Sequence, residues 1–357
     1  MNWEGLPSAA KSIPFLFREI GIASTFYKKG DCVMYRRSFL LGTGAAALAC
    51  PTLGLSQEKF PSRPISFIVP VAAGGGSDYV ARATTHEWGK TLGSSFVVEN
   101  IAGGGGVIAC QKTMRSKADG YTLMQGYVAT LGTVPATRQV AYDPLKHFTS
   151  VGMIGGTPNA LVVDAKLPVR TYDDFLKYVK DNQHTNYGSA GAGSLTHLLM
   201  ELLKQKSGFT TEHVAYKGIA PAFNDVLAGS TQFIFPGLAA AVPHVTSGKV
   251  RLLAITGKER SKRFPDVPTF EELGIKGFDD ILQWYGVSGP AGMPADIVAT
   301  LNTSLNKVLA NPALEKTLSI EAILPMPMQP EQFDAYLRKD LERWQKVVKE
   351  QNIRLDA

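Results

Sequence analysis

At 357 residues, 45% of them hydrophobic and 19% charged, the chain can bury an ample core and is too apolar for a disordered one. The formal net charge of +6 overstates its basic character: six of the 37 basic and three of the 31 acidic residues lie in the first 57 positions, leaving +3 for the rest. That remainder holds no basic block interleaved with aromatics, so nucleic acid is not an expected partner.

The N-terminal region predicts export. Arg36 and Arg37 precede an apolar run at 39–49, and the small residues Gly54 and Ser56 follow. These are the basic, apolar and cleavage regions of a signal peptide. The run is shorter than the about 20 residues needed to span a bilayer. Arg36-Arg37-Ser38-Phe39-Leu40 has the twin-arginine pattern. A leader normally begins just before its basic pair, so translation is expected to start at Met34, with 1–57 as extension plus signal peptide. Ala-Leu-Ala-Cys at Cys50 is a loose lipobox and leaves lipoprotein anchoring as an alternative. Cys32 and Cys50 fall in this leader; Cys110 alone remains, which rules out an internal disulfide in the processed chain.

After the leader, short apolar runs alternate with helical periodicity. Strands are expected at 65–69, 96–98 and 121–125, with helices at 79–92 and 107–117 between them. Glycine loops join strand to helix at 74–78 and 103–106. The same alternation resumes with strands at 161–163, 185–187, 212–215, 232–235 and 250–255, separated by helices. Thr171 opens the first of these helices, with Asp174 at its capping-box position. A Gly-Ser-rich loop at 188–194 follows the 185–187 strand. Trp284-Tyr285-Gly286-Val287 reads as a returning strand, and three helices close the chain near 296–309, 312–319 and 330–351. Right-handed crossovers make each unit a mostly parallel sheet flanked by helices, with its loops on the carboxyl edge where ligands bind. Two lobes are expected, 58–160 with 284–357 and 161–283, with a cleft between them.

A helix N-terminus offers about four unpaired N–H groups and partial positive charge, and glycines let an anion approach it. Ser77, Ser189 and Ser194 add hydroxyl donors to such junctions. Asp78 suits its own helix N-terminus better than an anion site. Neither G-x-G-x-x-G nor a P-loop occurs. Tyr187-Gly188-Ser189-Ala190-Gly191 misses the hydrolase elbow by one position. His197, three residues after Ser194, leaves an exported serine hydrolase as an alternative, against a helix-start or cleft-lining role for that histidine. His86, His147, His184, His197, His213 and His244 make no zinc motif. No cofactor and no enzyme activity are expected.

Ordered segments along the processed chain resemble the Bug, or TctC-type, extracytoplasmic solute receptors of tripartite tricarboxylate transporters. They are residues 60–65 (FPSRPI), 69–78 (VPVAAGGGSD), 98–106, 118–123 (ADGYTL), 142–146 (YDPLK), 187–197, 214–218 (VAYKG), 265–269 (PDVPT) and 284–286 (WYG). The resemblance implies a two-lobed periplasmic-binding-protein-like fold that closes on a small organic acid and delivers it to membrane permease subunits. A sensor subunit for a membrane kinase is a further alternative, and a monomer is expected. The family's ligand-meeting loops correspond here to Ala73, Gly74, Gly75, Ser77, Ser189, Gly193 and Ser194, and its cleft-facing segment to Tyr216 and Lys217. Val71-Ala72-Ala73 departs from the family's Phe-Ala-Pro. Residues 125–130 (QGYVAT) depart from its small, serine-rich stretch, and Tyr127 adds bulk that points to an aromatic or differently shaped acid.

Overall fold

A computed structural model describes residues 59–353 apart from Gly75 and Gln183. The export signal, Met34 and Cys50 lie outside the described residues. The first unit runs β1 (Ile65–Val69), α1 (Gly76–Leu92), β2 (Phe96–Asn100), α2 (Val107–Met114) and β3 (Thr122–Tyr127). A π-helical turn at Val128–Thr133 and α3 (Val134–Thr137) lead to β4 (Phe148–Thr157). The second unit runs β5 (Ala160–Asp164), α4 (Tyr172–Asp181), β6 (Asn186–Ser189), α5 (Leu195–Ser207), β7 (Glu212–Ala215), α6 (Ile219–Ala228), β8 (Phe233–Ile234), α7 (Leu238–Thr246) and β9 (Val250–Ile255). The chain then returns through β10 (Gln283–Pro290), α8 (Ala295–Leu309), α9 (Pro312–Ser319), β11 (Leu324–Pro325) and α10 (Pro330–Glu350).

Six strands form one sheet, ordered β11-β4-β10-β3-β1-β2, and five form the other, ordered β7-β6-β8-β5-β9. Each is mixed in its pairing rather than mostly parallel. β1 pairs parallel with β2 and β3, whereas β10 lies antiparallel between β3 and β4. In the second sheet β6 pairs parallel with β7 and β8, while β5 runs antiparallel between β8 and β9. The crossings cause this. β4 ends at the carboxyl edge of its sheet, so β5 starts at the carboxyl edge of the next and must run backwards through it. β9 and β10 repeat the arrangement in reverse.

Burial explains why these segments fold as they do. Ile65, Phe67, Ile68 and Val69 are all fully buried, as a near-continuous apolar strand covered on both faces requires. Phe67 faces Trp88 and Phe96 edge-on, and Trp88 Nε1 donates to Ser304 Oγ at 2.7 Å, pinning α1 against α8. The Thr171–Asp174 capping box forms as expected, with Asp174 N donating to Thr171 Oγ1 and Thr171 N to Asp174 Oδ2. β4 is the longest element missing from the sequence reading, which also lacks α3 and β11. Gly152, Gly155 and Gly156 of β4 break the strand pattern, yet close packing needs them: a Cβ on Gly155 would lie 2.3 Å from Leu324 O, and one on Gly152 would lie 2.8 Å from Asn302 Nδ2.

The crossings are bonded to each other: Asn159 N donates to Thr256 Oγ1 at 2.9 Å and Thr256 N to Asn159 O at 2.8 Å. One apolar cluster joins Met124 and Met153 of the first sheet, Leu161, Tyr187 and Phe233 of the second, and Phe333, Leu337 and Trp344 of α10. No helix among the described residues is long and apolar enough to cross a membrane.

Candidate functional site

The first glycine loop follows β1. Gly74 has φ 91°, and its N–H is donated to Asp78 Oδ2 at 2.9 Å. Asp78 is buried and also accepts from Arg82 Nε at 3.0 Å and Asn100 Nδ2 at 2.8 Å. Burial pushes its pKa up, but bonds from Arg82, Gly74 and Asn100, with the Arg82 charge, together hold it below the usual carboxylate range. Asp78 thus serves its own loop and helix. Ser77 does not point a free hydroxyl outward: its Oγ donates to Gln125 Oε1 at 2.8 Å. Ala73 and Gly74 are exposed at the loop surface, and Gly75 lies outside the described residues.

The second glycine loop packs on the first. A Cβ on Gly106, whose φ is 92°, would lie 2.3 Å from Thr130 Cγ2 and 3.2 Å from Pro70 Cβ, so only glycine fits there. Thr130 belongs to the π-helical turn that Tyr127 opens, and its Oγ1 donates back to Tyr127 O at 3.0 Å. Tyr127 is half-buried and stacks on Tyr285, which sits directly opposite it in the β3–β10 register, at 6.4 Å between ring centroids. Burial first, and then the Tyr285 phenol, push the Tyr127 pKa up, so it stays a neutral hydroxyl. Gln283 Nε2 donates to Tyr285 Oη at 2.7 Å where the chain returns from the second sheet.

The serine loop on the second sheet rests on two histidines. Ser189, fully buried at the end of β6, has its Oγ 2.6 Å from His213 Nε2 on β7. His213 stacks on His197 of α5 and on Tyr187. His197 Nδ1 accepts from Gly193 N at 3.0 Å, so that nitrogen carries no proton. Ser194 caps α5, its Oγ accepting from His197 N at 3.4 Å and donating to Gly191 O at 2.6 Å. Tyr187 Oη donates to Glu201 Oε1 at 2.6 Å, and Lys204 pairs with the same carboxylate. Burial lowers both histidine pKa values; the His197 ring adds to the effect on His213, which falls to about 4.

The Ser194–His197 contact considered for a hydrolase is therefore a helix cap. The close Ser–His pair is Ser189 with His213, and it depends on the parallel register that sets Tyr187 beside His213. No sequence spacing signals it. Ser189 Oγ also accepts from Gly191 N at 3.1 Å and is closed off from solvent, unlike a nucleophile. Tyr216 turns inward: its hydroxyl donates to Asp225 Oδ2 at 2.5 Å. Lys217 is exposed and has no ion-pair partner among the described residues.

The structure thus groups Ser77 with Gln125, Tyr127 with Tyr285, and Ser189, Gly193 and Ser194 with the two histidines. All lie at the carboxyl edges from which both crossings leave. A groove of about 1030 Å³ reaches Gly74 and Asp78 but continues along the outer side of α1, past Arg82, His86 and Phe96, away from that edge. Among the described residues no cluster of His, Cys, Asp or Glu would hold a metal ion.

Two mixed sheets joined by paired crossings, with glycine and serine loops on their carboxyl edges, define the two-lobed fold of periplasmic binding proteins. Residues 80–353 match the tripartite tricarboxylate transporter family receptor, and the chain belongs to that family. It is 33% identical to protein BugT of Bordetella pertussis over 316 residues, 87% of this chain and 95% of that one. A solved R. palustris protein with adipate is 31% identical, with a TM-score of 0.74 over 82% of this chain and 98% of its own. MatC from Rhodopseudomonas palustris with bound malate is 32% identical, with a TM-score of 0.71 over 81% of this chain and 100% of its own. These relatives are solute-binding receptors rather than enzymes, and this chain is one of them.

Proposed function

We propose that the chain is exported to the periplasm, captures a small organic carboxylate between its lobes, 58–160 with 284–357 and 161–283, and hands it to the membrane subunits of a tripartite transporter. The observation that carries this reading is the placement of loop-to-helix junctions from both sheets on the carboxyl edges where the crossings leave. A carboxylate there meets backbone N–H groups and helix N-termini rather than a competing acid, since Asp78 is saturated by its own loop. The ligand-contacting set comprises Ala73, Gly74, Gly75, Ser77, Tyr127, Gly193, Ser194, His197 and Lys217, with the buried Ser189 and Tyr216 as internal support. The adipate- and malate-bound neighbours support an acid of that class. The ligand favours closure to the extent that it binds the closed state more tightly.

The test is a thermal-shift screen of the processed chain against succinate, malate, adipate and benzoate, with each corresponding carboxamide and a set of neutral sugars. At least one acid should raise the melting temperature progressively with its concentration, through a stabilisation of roughly 2.7 kcal/mol at a hundredfold excess over Kd. A shift with neutral solutes and none with any acid would defeat the reading.

A further inference from the structure

We propose that Gln125 sets the specificity of the site, by fixing Ser77 as a hydrogen-bond donor so that the first lobe selects an ionised carboxylate over its carboxamide. This rests on the capture reading above.

Gln125 lies within the buried stretch of β3, between Met124 and Gly126, and is fully buried. Its amide faces the first turn of α1, where Oε1 accepts the Ser77 hydroxyl proton at 2.8 Å. Its Nε2 has no partner among the described residues. A buried amide nitrogen carries two donor hydrogens, and stranding them is costly. Turning the amide by half a revolution exchanges its two atoms. Nε2 then donates one hydrogen to Ser77 Oγ, leaving one N–H and the carbonyl oxygen without partners in place of two N–H donors, a lesser penalty because an under-satisfied carbonyl is better tolerated. The turned state releases the Ser77 proton, which needs an acceptor on the loop side.

That acceptor selects the ligand. An ionised carboxylate offers only lone pairs, so it takes the Ser77 proton beside the partial positive charge of the α1 N-terminus. A carboxamide takes the same proton only on its uncharged carbonyl oxygen, a weaker acceptor, and its NH2 group then faces the N–H donors of the α1 N-terminus, which offer it no acceptor. The two orientations of one buried amide are therefore coupled to the chemistry of the ligand head group.

The experiment measures Kd for the tightest acid of the screen and for its carboxamide, by calorimetry, in wild type, Gln125→Met, Gln125→Glu, Ser77→Ala and the Ser77→Ala/Gln125→Met double variant. Gln125→Glu holds the Ser77 proton permanently and should lower the acid-to-amide affinity ratio at least tenfold. Gln125→Met frees the hydroxyl to turn either way and should lower the ratio by a smaller factor. With Ser77 absent, changing residue 125 should no longer alter the ratio. If Gln125 only supports the fold, acid and amide weaken together, the ratio stays constant, and the proposal is overturned while acid capture stands. If no acid binds wild type, both readings fall. Should the variants not fold, the wild-type chain still decides: the Gln125 side-chain amide resonances should move on adding the acid and not on adding the carboxamide, and equal responses to both overturn the proposal.

Discussion

The imidazoles of His197 and His213 lie ring on ring, 3.8 Å between centroids and 7° from parallel. Two charged rings at that distance repel, and the Gly193 N–H aimed at His197 Nδ1 requires an unprotonated nitrogen there. The fold therefore keeps the pair neutral, and burial is the main cause for each. The unfolded chain takes up protons below about pH 6.5, whereas folded His213 does so only near 4. Over that window the unfolded state binds more protons, so stability falls as pH drops from about 6.5 towards 4 and is unaffected by the pair above it. The His213 contribution is on the order of 3 kcal/mol. Urea unfolding of wild type and His213→Phe at pH 7.5, 6.0 and 5.0 should show a steeper acid-side loss in wild type. Parallel losses in both would remove the neutral pair from the account.

Asp340 works in the opposite direction. Its carboxylate accepts from Trp284 Nε1 at 2.8 Å, at the start of the strand that returns to the first sheet. Burial raises its pKa to about 6, despite the opposing Trp284 bond and Arg343 charge. Between about pH 4 and 6 the folded state holds the proton that the unfolded state has lost, so stability falls as pH rises through that window and is level beyond it. Asp340→Asn is neutral throughout. Relative to wild type it should gain on the order of 2–3 kcal/mol between pH 4 and 7, read from unfolding midpoints at the two values. An unchanged gap would mean that the carboxyl titrates normally.

Gly286 lies beneath the Phe333 ring of α10. A Cβ there would fall 2.2 Å from Phe333 Cζ and within 3 Å of two further ring carbons, and Phe333 is fully buried with little room to retreat. Gly286→Ala should destabilise by about 1–3 kcal/mol through overpacking. Gly286→Ala with Phe333→Leu should recover part of that loss relative to Phe333→Leu alone. Differential scanning calorimetry of the three variants decides it, and full additivity would place the strain elsewhere.

What was legible in the sequence follows the range of the interaction. The Thr171–Asp174 box and the α1 periodicity are local, and they appear within a few residues of where the sequence places them. β4 was hidden because its glycines serve contacts with Leu324 and Asn302, more than a hundred residues away in the chain. The mixed pairing was hidden for a related reason: the direction of β5 and β10 depends on where the crossings leave. At the site, the loops were legible from their glycines and serines, but the partners of those serines were not. Ser77 meets Gln125 at a separation of 48 residues, through the packing of α1 beside β3, and Ser189 meets His213 at 24, through the β6–β7 register.

Tyr216 and Lys217 are neighbours in sequence with different expected weights in binding. The Tyr216 hydroxyl is held by Asp225, and burial, then that bond, raise its pKa to about 12. Its ring covers Gly188, where a Cβ would meet Cε2 at 3.2 Å. Tyr216→Phe should therefore cost about 1 kcal/mol of stability through the lost hydrogen bond, while acid affinity changes less than about twofold. Lys217 is exposed, and its charge acts on an anion across water. Lys217→Ala should leave the melting temperature unchanged and weaken acid binding several-fold at low ionic strength, with the difference shrinking as salt shortens the Debye length to about 8 Å. Calorimetric titration of both variants at two salt concentrations separates the two. A large affinity loss in Tyr216→Phe with no loss of stability would turn that hydroxyl outward, towards the ligand.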